Sequence, residues 1–239
     1  PAMGEHYAKI ASAVKVAIRK KYWDVSRGLF ADTYKHNSFS QHVNSLAVLA
    51  GVITGDGARQ VMHSVLTDID LIQVTIYFRY YLNQALNKAG LGDELLEHLG
   101  VWKEQMALGL TTWAERPEPS RSDCHAWGAS PNIEFYRVVL GIDSDAPGFG
   151  KVRIAPNLGT LKKVSGTVPH PLGDIAVNYE VDKKGKLIAT VDLPENIKGT
   201  FVWKGQNYPL VSGHQAFTIN QQASAGQRKY YVSSSTGDD

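Results

Sequence analysis

The chain has 239 residues, and 25 Lys and Arg against 23 Asp and Glu leave a formal charge of +2 at pH 7. With 43% apolar and 20% charged residues it has the composition of a globular protein of one to two domains, far from the disordered range. The near-neutral balance offers no electrostatic basis for a nucleic-acid partner. No apolar run approaches the roughly 18 residues that span a bilayer. The single cysteine, Cys124, excludes an internal disulfide framework and a Cys-rich zinc site. The sequence starts at Pro1 and shows no signal-peptide pattern, which leaves cytoplasmic, periplasmic and secreted locations all open.

Residues 4–140 carry helical periodicity. Tyr7, Ile10, Ala11, Val14, Ala17 and Ile18 form one stripe that ends before Tyr22 and Trp23. After a polar turn at Gly28, Ser40 is placed to cap a helix through Val43, Leu46, Ala47 and Ala50 to Gly51. Residues 56–66 read as a short amphipathic helix. Asp70 is placed to cap a fourth helix over 71–89, closed by Gly90. Apolar and aromatic groups on nearly all sides of this fourth helix, Tyr77, Tyr80 and Tyr81 among them, predict burial and a packing role for the tyrosines. A fifth helix is expected over 93–108, and a sixth from Pro131 to Leu140 ahead of Gly141. These hairpins suit a helical bundle or an α/α toroid equally.

The pattern then changes. Pro147, Gly148 and Gly150 mark a linker, followed by short alternating runs at 152–154, 164–168, 175–181, 187–191, 200–203 and 215–219. Such spacing predicts an antiparallel β-sandwich. The expected organisation is a helical segment over 1–147, a β-sandwich over 148–220 and a flexible tail over 221–239, rich in Ser, Gly, Gln and Asp.

Between the fifth and sixth helices lies an irregular stretch of about 20 residues, a length that is often functional inside a compact domain. It holds Trp113, Glu115, Arg116, Glu118, Arg121, Asp123, His125 and Trp127. Indole faces stack on the C–H faces of a pyranose, and carboxylates and a histidine bond its hydroxyls, so this composition suits a sugar site. Gly109-Leu-Thr-Thr-Trp-Ala-Glu115 followed by Ser122-Asp-Cys-His125-Ala-Trp127-Gly-Ala-Ser-Pro131 resembles the end of the catalytic domain in α-L-rhamnosidases of glycoside hydrolase family 78. Phe39-Ser-Gln-His-Val-Asn-Ser-Leu-Ala-Val-Leu-Ala-Gly51, Thr75-Ile-Tyr-Phe-Arg-Tyr-Tyr-Leu82, and the stretches 139–154 and 166–175 match in the same order. The likeness covers residues 5–220.

The resemblance implies an (α/α)6 toroid and inverting hydrolysis of terminal α-L-rhamnosides by two carboxylates. It gives Glu115 the role of general base and His125 a sugar-binding role, makes Trp113 and Trp127 candidates for an aromatic wall, and implies no cofactor or metal. The family's general acid lies in an acidic upstream stretch that has no counterpart here. The chain therefore looks like the second half of the catalytic domain with its C-terminal sandwich, a fragment expected to be inactive alone. Inner helices without their toroid neighbours would favour self-association. Other readings remain: a non-catalytic carbohydrate-binding or scaffold protein on the same frame, or another α/α-toroid glycosidase or phosphorylase.

An inverting base must be ionised and stand about 6.5–9.5 Å from the acid. Arg116 or Arg121 would hold Glu115 ionised if either folds onto it, and Glu118 is the rival base. Gln41 and Asn44, three apart on one helical face, either bond neighbouring backbone or face sugar hydroxyls at the toroid centre. Cys124 is expected to be a small buried residue, and His42 a core or rim histidine. Arg79 must either reach the surface or pair near the pocket. Trp203 and Tyr208 give thin support to a second carbohydrate platform. No His-Glu-x-x-His pattern supports metal catalysis.

Overall fold

The computed structural model describes residues 2–220; the tail expected over 221–239 lies outside the described residues. The chain opens with α1 (Ala2–Tyr22) and a short hairpin of β1 (Trp23–Asp24) and β2 (Leu29–Phe30). The apolar stripe of α1 is real but has few partners among the described residues: Tyr7, Ile10 and Val14 are exposed, while Ile18 and Tyr22 reach the first core. That core is built by β2 together with α2 (Gln41–Leu49), α3 (Gly55–Thr67) and α4 (Ile76–Lys88), around Phe30, Val48, Met62, Val65, Leu82 and Leu86. Ser40 caps α2 as its sequence position predicts, its hydroxyl accepting from the Val43 N–H at 3.3 Å.

Asn44 and Gln41 tie this core together. The Asn44 amide accepts from the Phe30 N–H at 2.8 Å and donates to the carbonyls of Phe30 at 3.0 Å and Ser40 at 2.9 Å. Gln41 donates to the Val65 carbonyl at 2.9 Å and accepts from the Val74 N–H at 2.9 Å. Backbone bonds from Gln41 N to Ile72 O and from Ile72 N to Phe39 O complete a short bridge. These bonds hold residues 71–74 extended, so α4 begins at Ile76 after Thr75 and not at Leu71. Asp70 caps nothing; its N–H turns back to Asp68 Oδ1 at 3.0 Å.

Helix α4 is also less enclosed than its composition predicts. Ile76, Leu82, Asn83, Ala85 and Leu86 are buried, whereas Tyr77 is exposed and Tyr80 and Tyr81 are half-buried. The fifth expected helix is divided, with a 3₁₀ stretch over Gly92–His98 followed by α5 (Gly100–Ala107). The sixth begins at Ser130 as α6 (Ser130–Glu134) and widens into a π-turn over Phe135–Val139. At Gly141 the backbone takes φ 73°, and a Cβ there would stand 2.1 Å from the Ala155 carbonyl carbon. Only glycine allows that approach.

Two four-stranded sheets follow, made from β3 (Ile142–Ser144), β4 (Lys151–Ile154), β5 (Lys163–Val168), β6 (Ile175–Val181), β7 (Leu187–Leu193), β8 (Lys198–Trp203), β9 (Gln206–Leu210) and β10 (Gly213–Ile219). One has the order β10-β7-β6-β5 and the other β3-β4-β8-β9. Both contribute to one core, with Val177, Tyr179 and Val191 from the first and Val152, Ile154 and Phe201 from the second. The Tyr179 hydroxyl donates to the Leu140 carbonyl at 2.9 Å, fastening the sheets to the end of the helical part. β3 joins its sheet ahead of the Pro147–Phe149 turn, so that turn lies inside the β-structure. Every pairing is antiparallel except β4 with β8, which run parallel with Lys151 opposite Lys198. Gly199 makes that pairing possible, since a Cβ there would meet the Val152 carbonyl oxygen at 2.0 Å.

Asn44→Ala leaves the buried Phe30 N–H and carbonyl without partners and removes one bond from the Ser40 carbonyl. It is expected to lower stability by roughly 3 kcal/mol, read as a fall in the urea midpoint with an unchanged slope.

Candidate active site

Two side chains of α5 position the irregular stretch that follows it. Gln105 Oε1 accepts from the Ala114 N–H at 2.9 Å, and the Trp102 indole donates to the Gly128 carbonyl at 2.7 Å. Between these anchors the stretch folds back on itself. The Glu115 N–H donates to the Ser122 carbonyl at 2.9 Å, the His125 N–H to the Trp113 carbonyl at 2.8 Å, and the Thr112 hydroxyl to the Asp123 carbonyl at 2.5 Å. Gly128 closes the turn against this pair, where a Cβ would lie 2.9 Å from the Ala114 carbonyl oxygen. Glu115, Trp113 and His125 thus share one small scaffold although they lie up to a dozen residues apart.

Arg121 completes the scaffold by gripping Glu115 with both arms of its guanidinium. Nε donates to Oε2 at 2.8 Å, and Nη2 donates to Oε1. The Glu115 side chain is 12% exposed and that of Arg121 is 72% exposed, so the carboxylate is sheltered and its partner faces solvent. The Arg121 hydrogen bonds hold the Glu115 carboxyl below its usual range against a smaller upward push from burial, and the charges of Arg121, His125 and Arg116 add to the lowering. Of the two arginines flagged in the sequence, Arg121 makes the contact. A carboxylate offers about four lone-pair directions, so this grip leaves Glu115 able to accept from a water or a hydroxyl. Glu118 accepts from the Ser120 N–H at 3.2 Å and takes no part in the Arg121 pair.

His125, on the same fold-back as Glu115, begins an aromatic row. Its ring centroid lies 4.3 Å from Trp127, which lies 4.9 Å from Tyr77; Tyr81 lies 6.2 Å from Tyr77 and 5.3 Å from Tyr80. A cleft of about 300 Å³ opens along this row, lined by Tyr77, Tyr80, Tyr81, Trp127, Ser130 and Ile133 with Ala126 and Ala129. Trp127 is 45% exposed and presents much of its ring to solvent. The three tyrosines, read from the sequence as packing residues, instead form the wall of this cleft, because α4 buries the opposite face against the first core.

Several sequence expectations need correction. Gln41 and Asn44 are not at the cleft; they are 6% and 0% exposed, and their amides are fully engaged with the backbone as described above. Trp113 is absent from the cleft lining and is half-buried against Ile76, Leu99 and Trp102. Cys124 is exposed, because the 122–125 arm runs along the outside of the fold-back. Arg79 neither reaches open solvent nor forms an ion pair among the described residues; its guanidinium lies 5.9 Å from the Trp102 ring, half-buried. His42 packs on Phe78 with ring centroids 4.4 Å apart.

Two further features escaped sequence reading. Gln105 looks like any surface glutamine, and only its spacing from Trp102 on one helical face hinted at a shared task. Glu134 sits in an apolar run with no motif around it, yet it is fully buried. A larger cleft of about 940 Å³ lies elsewhere, lined by Lys162, Lys183, Lys184 and Lys204 together with Asp93, Glu180 and Asp182. Its charges offset one another, with Lys204 3.7 Å from Asp93, and Trp203 is 9% exposed and offers no open ring face. Glu115 and His125, like Trp113, are outside the lining of the smaller cleft, which His125 reaches through its packing on Trp127; the open aromatic faces of that cleft suit a sugar better.

Comparisons with known proteins point to rhamnosidases. Residues 141–217 match the family described as the bacterial alpha-L-rhamnosidase C-terminal domain. The chain is 38% identical over 138 residues to the alpha-L-rhamnosidase of Alteromonas sp. (strain LOR), covering 51% of this chain and 15% of that protein. The crystal structure of the family 78 rhamnosidase of Bacillus sp. GL1 superposes over 83% of this chain and 23% of its own, at 25% identity with a TM-score of 0.73. The chain is thus similar to part of the α-L-rhamnosidases. The Streptomyces avermitilis alpha-L-rhamnosidase, solved in complex with L-rhamnose, shares the fold over 90% of this chain and 24% of its own, at 16% identity and a TM-score of 0.71. The chain thus spans 15% of the curated rhamnosidase and about a quarter of the solved ones.

Arg121→Ala removes the main cause of the low Glu115 pKa. The Glu115 carboxyl is expected to titrate higher, in the ordinary carboxylate range, as followed by carboxyl-carbon NMR. Arg116→Ala, which removes only the smallest contribution, is expected to move it much less.

Proposed function

We propose that this chain supplies the water-activating half of an inverting α-L-rhamnosidase site. Glu115 is the general base, His125 bonds a sugar hydroxyl, and Trp127 with Tyr77 and Tyr81 stacks against the sugar ring. Trp113 backs this wall from behind. The observation that carries the reading is the sheltered Glu115 carboxylate, held ionised by Arg121 on the same fold-back as His125, whose ring packs on Trp127 of an open aromatic cleft. An ionised carboxylate with free lone pairs takes a proton from water attacking the sugar from the face opposite the leaving group.

On this reading residues 1–141 are a segment of an (α/α)6 toroid, and residues 142–220 are a β-sandwich that braces its last helices and begins with β3 ahead of the expected boundary at 147. The shared sheet core and the Tyr179–Leu140 bond support the bracing. The proton donor and the rest of the sugar pocket belong to toroid helices outside this sequence, as the small share of the relatives' length supports. The exposed stripe of α1 is then the face those helices cover, and in the chain alone it favours self-association.

The isolated chain is therefore expected to turn over no aryl α-L-rhamnoside while L-rhamnose still perturbs its tryptophan fluorescence, and Trp127→Ala is expected to abolish that response. In a protein joining this chain to the missing toroid helices, Glu115→Gln is expected to lower kcat by about 10²–10⁴-fold, and Glu118→Gln to leave it nearly unchanged. The first product seen by proton NMR should be the inverted anomer. Turnover by the isolated chain that Glu115→Gln abolishes would refute the division of labour. Rhamnose binding without conversion in the joined protein would instead favour a non-catalytic carbohydrate-binding role.

A further inference from the structure

Glu134 is the one fully buried ionisable carboxyl among the described residues, and the proposed reaction gives it no task. It ends α6, the helix that carries Ser130 and Ile133 into the aromatic cleft. Its Oε2 accepts from Asn83 Nδ2 at 2.6 Å, while Oε1 has no hydrogen-bond partner. Asn83 is 3% exposed and stands on α4, whose opposite face carries Tyr77, Tyr80 and Tyr81. One buried hydrogen bond therefore links the two helices that form facing walls of the cleft. Ser130, one turn before Glu134 on the same helix, also has a buried hydroxyl without a partner, and it lines the cleft.

We propose that Glu134 is a positioning residue for the cleft: as a neutral acid it fastens α6 to α4 and sets the spacing between Trp127 and the tyrosines, and on losing its proton it releases that spacing. An ionised carboxylate with one unpaired oxygen is costly in a buried site, whereas a neutral acid keeps the Asn83 bond without a buried charge. Among the described residues no counter-charge pairs with Glu134. The segments packed on α6 are α4, the 3₁₀ turn Ala126–Ala129 and the π-turn. The 3₁₀ turn has no titratable side chain. The π-turn carries the Tyr136 phenol, which is 40% exposed, and Arg137, whose terminal nitrogens are engaged with Asp143 at 2.7 Å and the Tyr80 hydroxyl at 3.2 Å while its buried Nε has no partner. From α4 come the phenols of Tyr77, Tyr80 and Tyr81, with Arg79 held over Trp102 and Lys88 bonded to the Leu49 carbonyl at 2.7 Å.

Burial pushes the Glu134 carboxyl up to about 7, and the Asn83 bond opposes that rise. The folded protein then holds this proton more tightly than the unfolded chain. The linked stability is complete below the ordinary carboxylate range and is lost as pH rises through about 7.

Near-ultraviolet circular dichroism of the full chain from pH 5 to 9, which reports the packing of the tyrosines and tryptophans, tests the proposal alongside thermal unfolding. The dichroism is expected to change with a midpoint near neutrality, and thermal stability to fall from pH 5 and level off above about 7. Glu134→Gln, a neutral isostere that keeps the Asn83 bond, is expected to show the low-pH spectrum throughout and no midpoint. Asn83→Ala, which removes the bond that lowers the pKa, is expected to move the midpoint upward. A flat wild-type profile, or a Glu134→Gln profile that titrates like wild type, overturns the proposal. The sugar arm alone rests on the rhamnosidase reading: L-rhamnose affinity is expected to weaken several-fold from pH 6 to 8 in wild type and not in Glu134→Gln. A dichroism transition that Glu134→Gln removes, with no rhamnose binding at any pH, supports the positioning role and removes the sugar reading.

Discussion

The two hydrogen bonds from α5 to the stretch after it govern the whole candidate site. An irregular segment of this length has many conformations open to it, and fixing each residue costs about 1–2 kcal/mol of backbone entropy. Gln105 and Trp102 pin its two arms at Ala114 and Gly128, and both bonds are buried. With the arms pinned, the Glu115–Ser122 and Trp113–His125 backbone bonds close the fold-back, and only then does Arg121 meet Glu115. The placement of Glu115 and Trp127 thus depends on helix α5, which contributes neither side chain.

The electrostatics of the site show a balance. Arg121 keeps Glu115 ionised over a wide pH range, and the same grip makes it a weaker base, since basicity falls with pKa. The exposed guanidinium is the side of the pair free to move. The sheltered position of Glu115 raises its pKa slightly, in opposition to the arginine. Charge and burial are therefore set against each other on one side chain, while on Glu134 burial dominates and no arginine intervenes.

Much of the architecture was legible in the sequence where local chemistry decides. The Ser40 cap, the helices at 41–49 and 55–67 and the alternating strands at 163–168, 175–181 and 187–193 all have propensity, pattern and turn residues in agreement. The failures lie where tertiary bonds override local preference. Residues 71–74 would continue α4, but Gln41 and Phe39 capture their backbone groups. β9, Gln-Asn-Tyr-Pro-Leu, has no alternating pattern and forms only because β8 lies beside it. In the site, Gln41 and Asn44 share a helical face as expected, yet periodicity cannot tell whether that face meets a ligand or the hairpin ending in Phe30. The tyrosines of α4 failed for the same reason: their spacing is the same whether they fill a core or line a cleft. Gln105 and Glu134 carry no motif, and their importance comes from what surrounds them in space.

The parallel pairing of β4 with β8 has a consequence for assembly. β5, β6 and β7 pair with sequence neighbours, so a meander of three strands can form from local contacts. β4 must wait for β8, which emerges only after that whole meander, and closing so long a loop carries an entropic penalty before any contact rewards it. The β3-β4-β8-β9 sheet is accordingly the late event in folding, with the hydrophobic side chains of Val152 and Ile154 waiting uncovered until the meander is complete. During synthesis the nascent polypeptide would pass through a stage in which its helices are finished and their sheet support is not, a stage at which a chaperone has the most to protect.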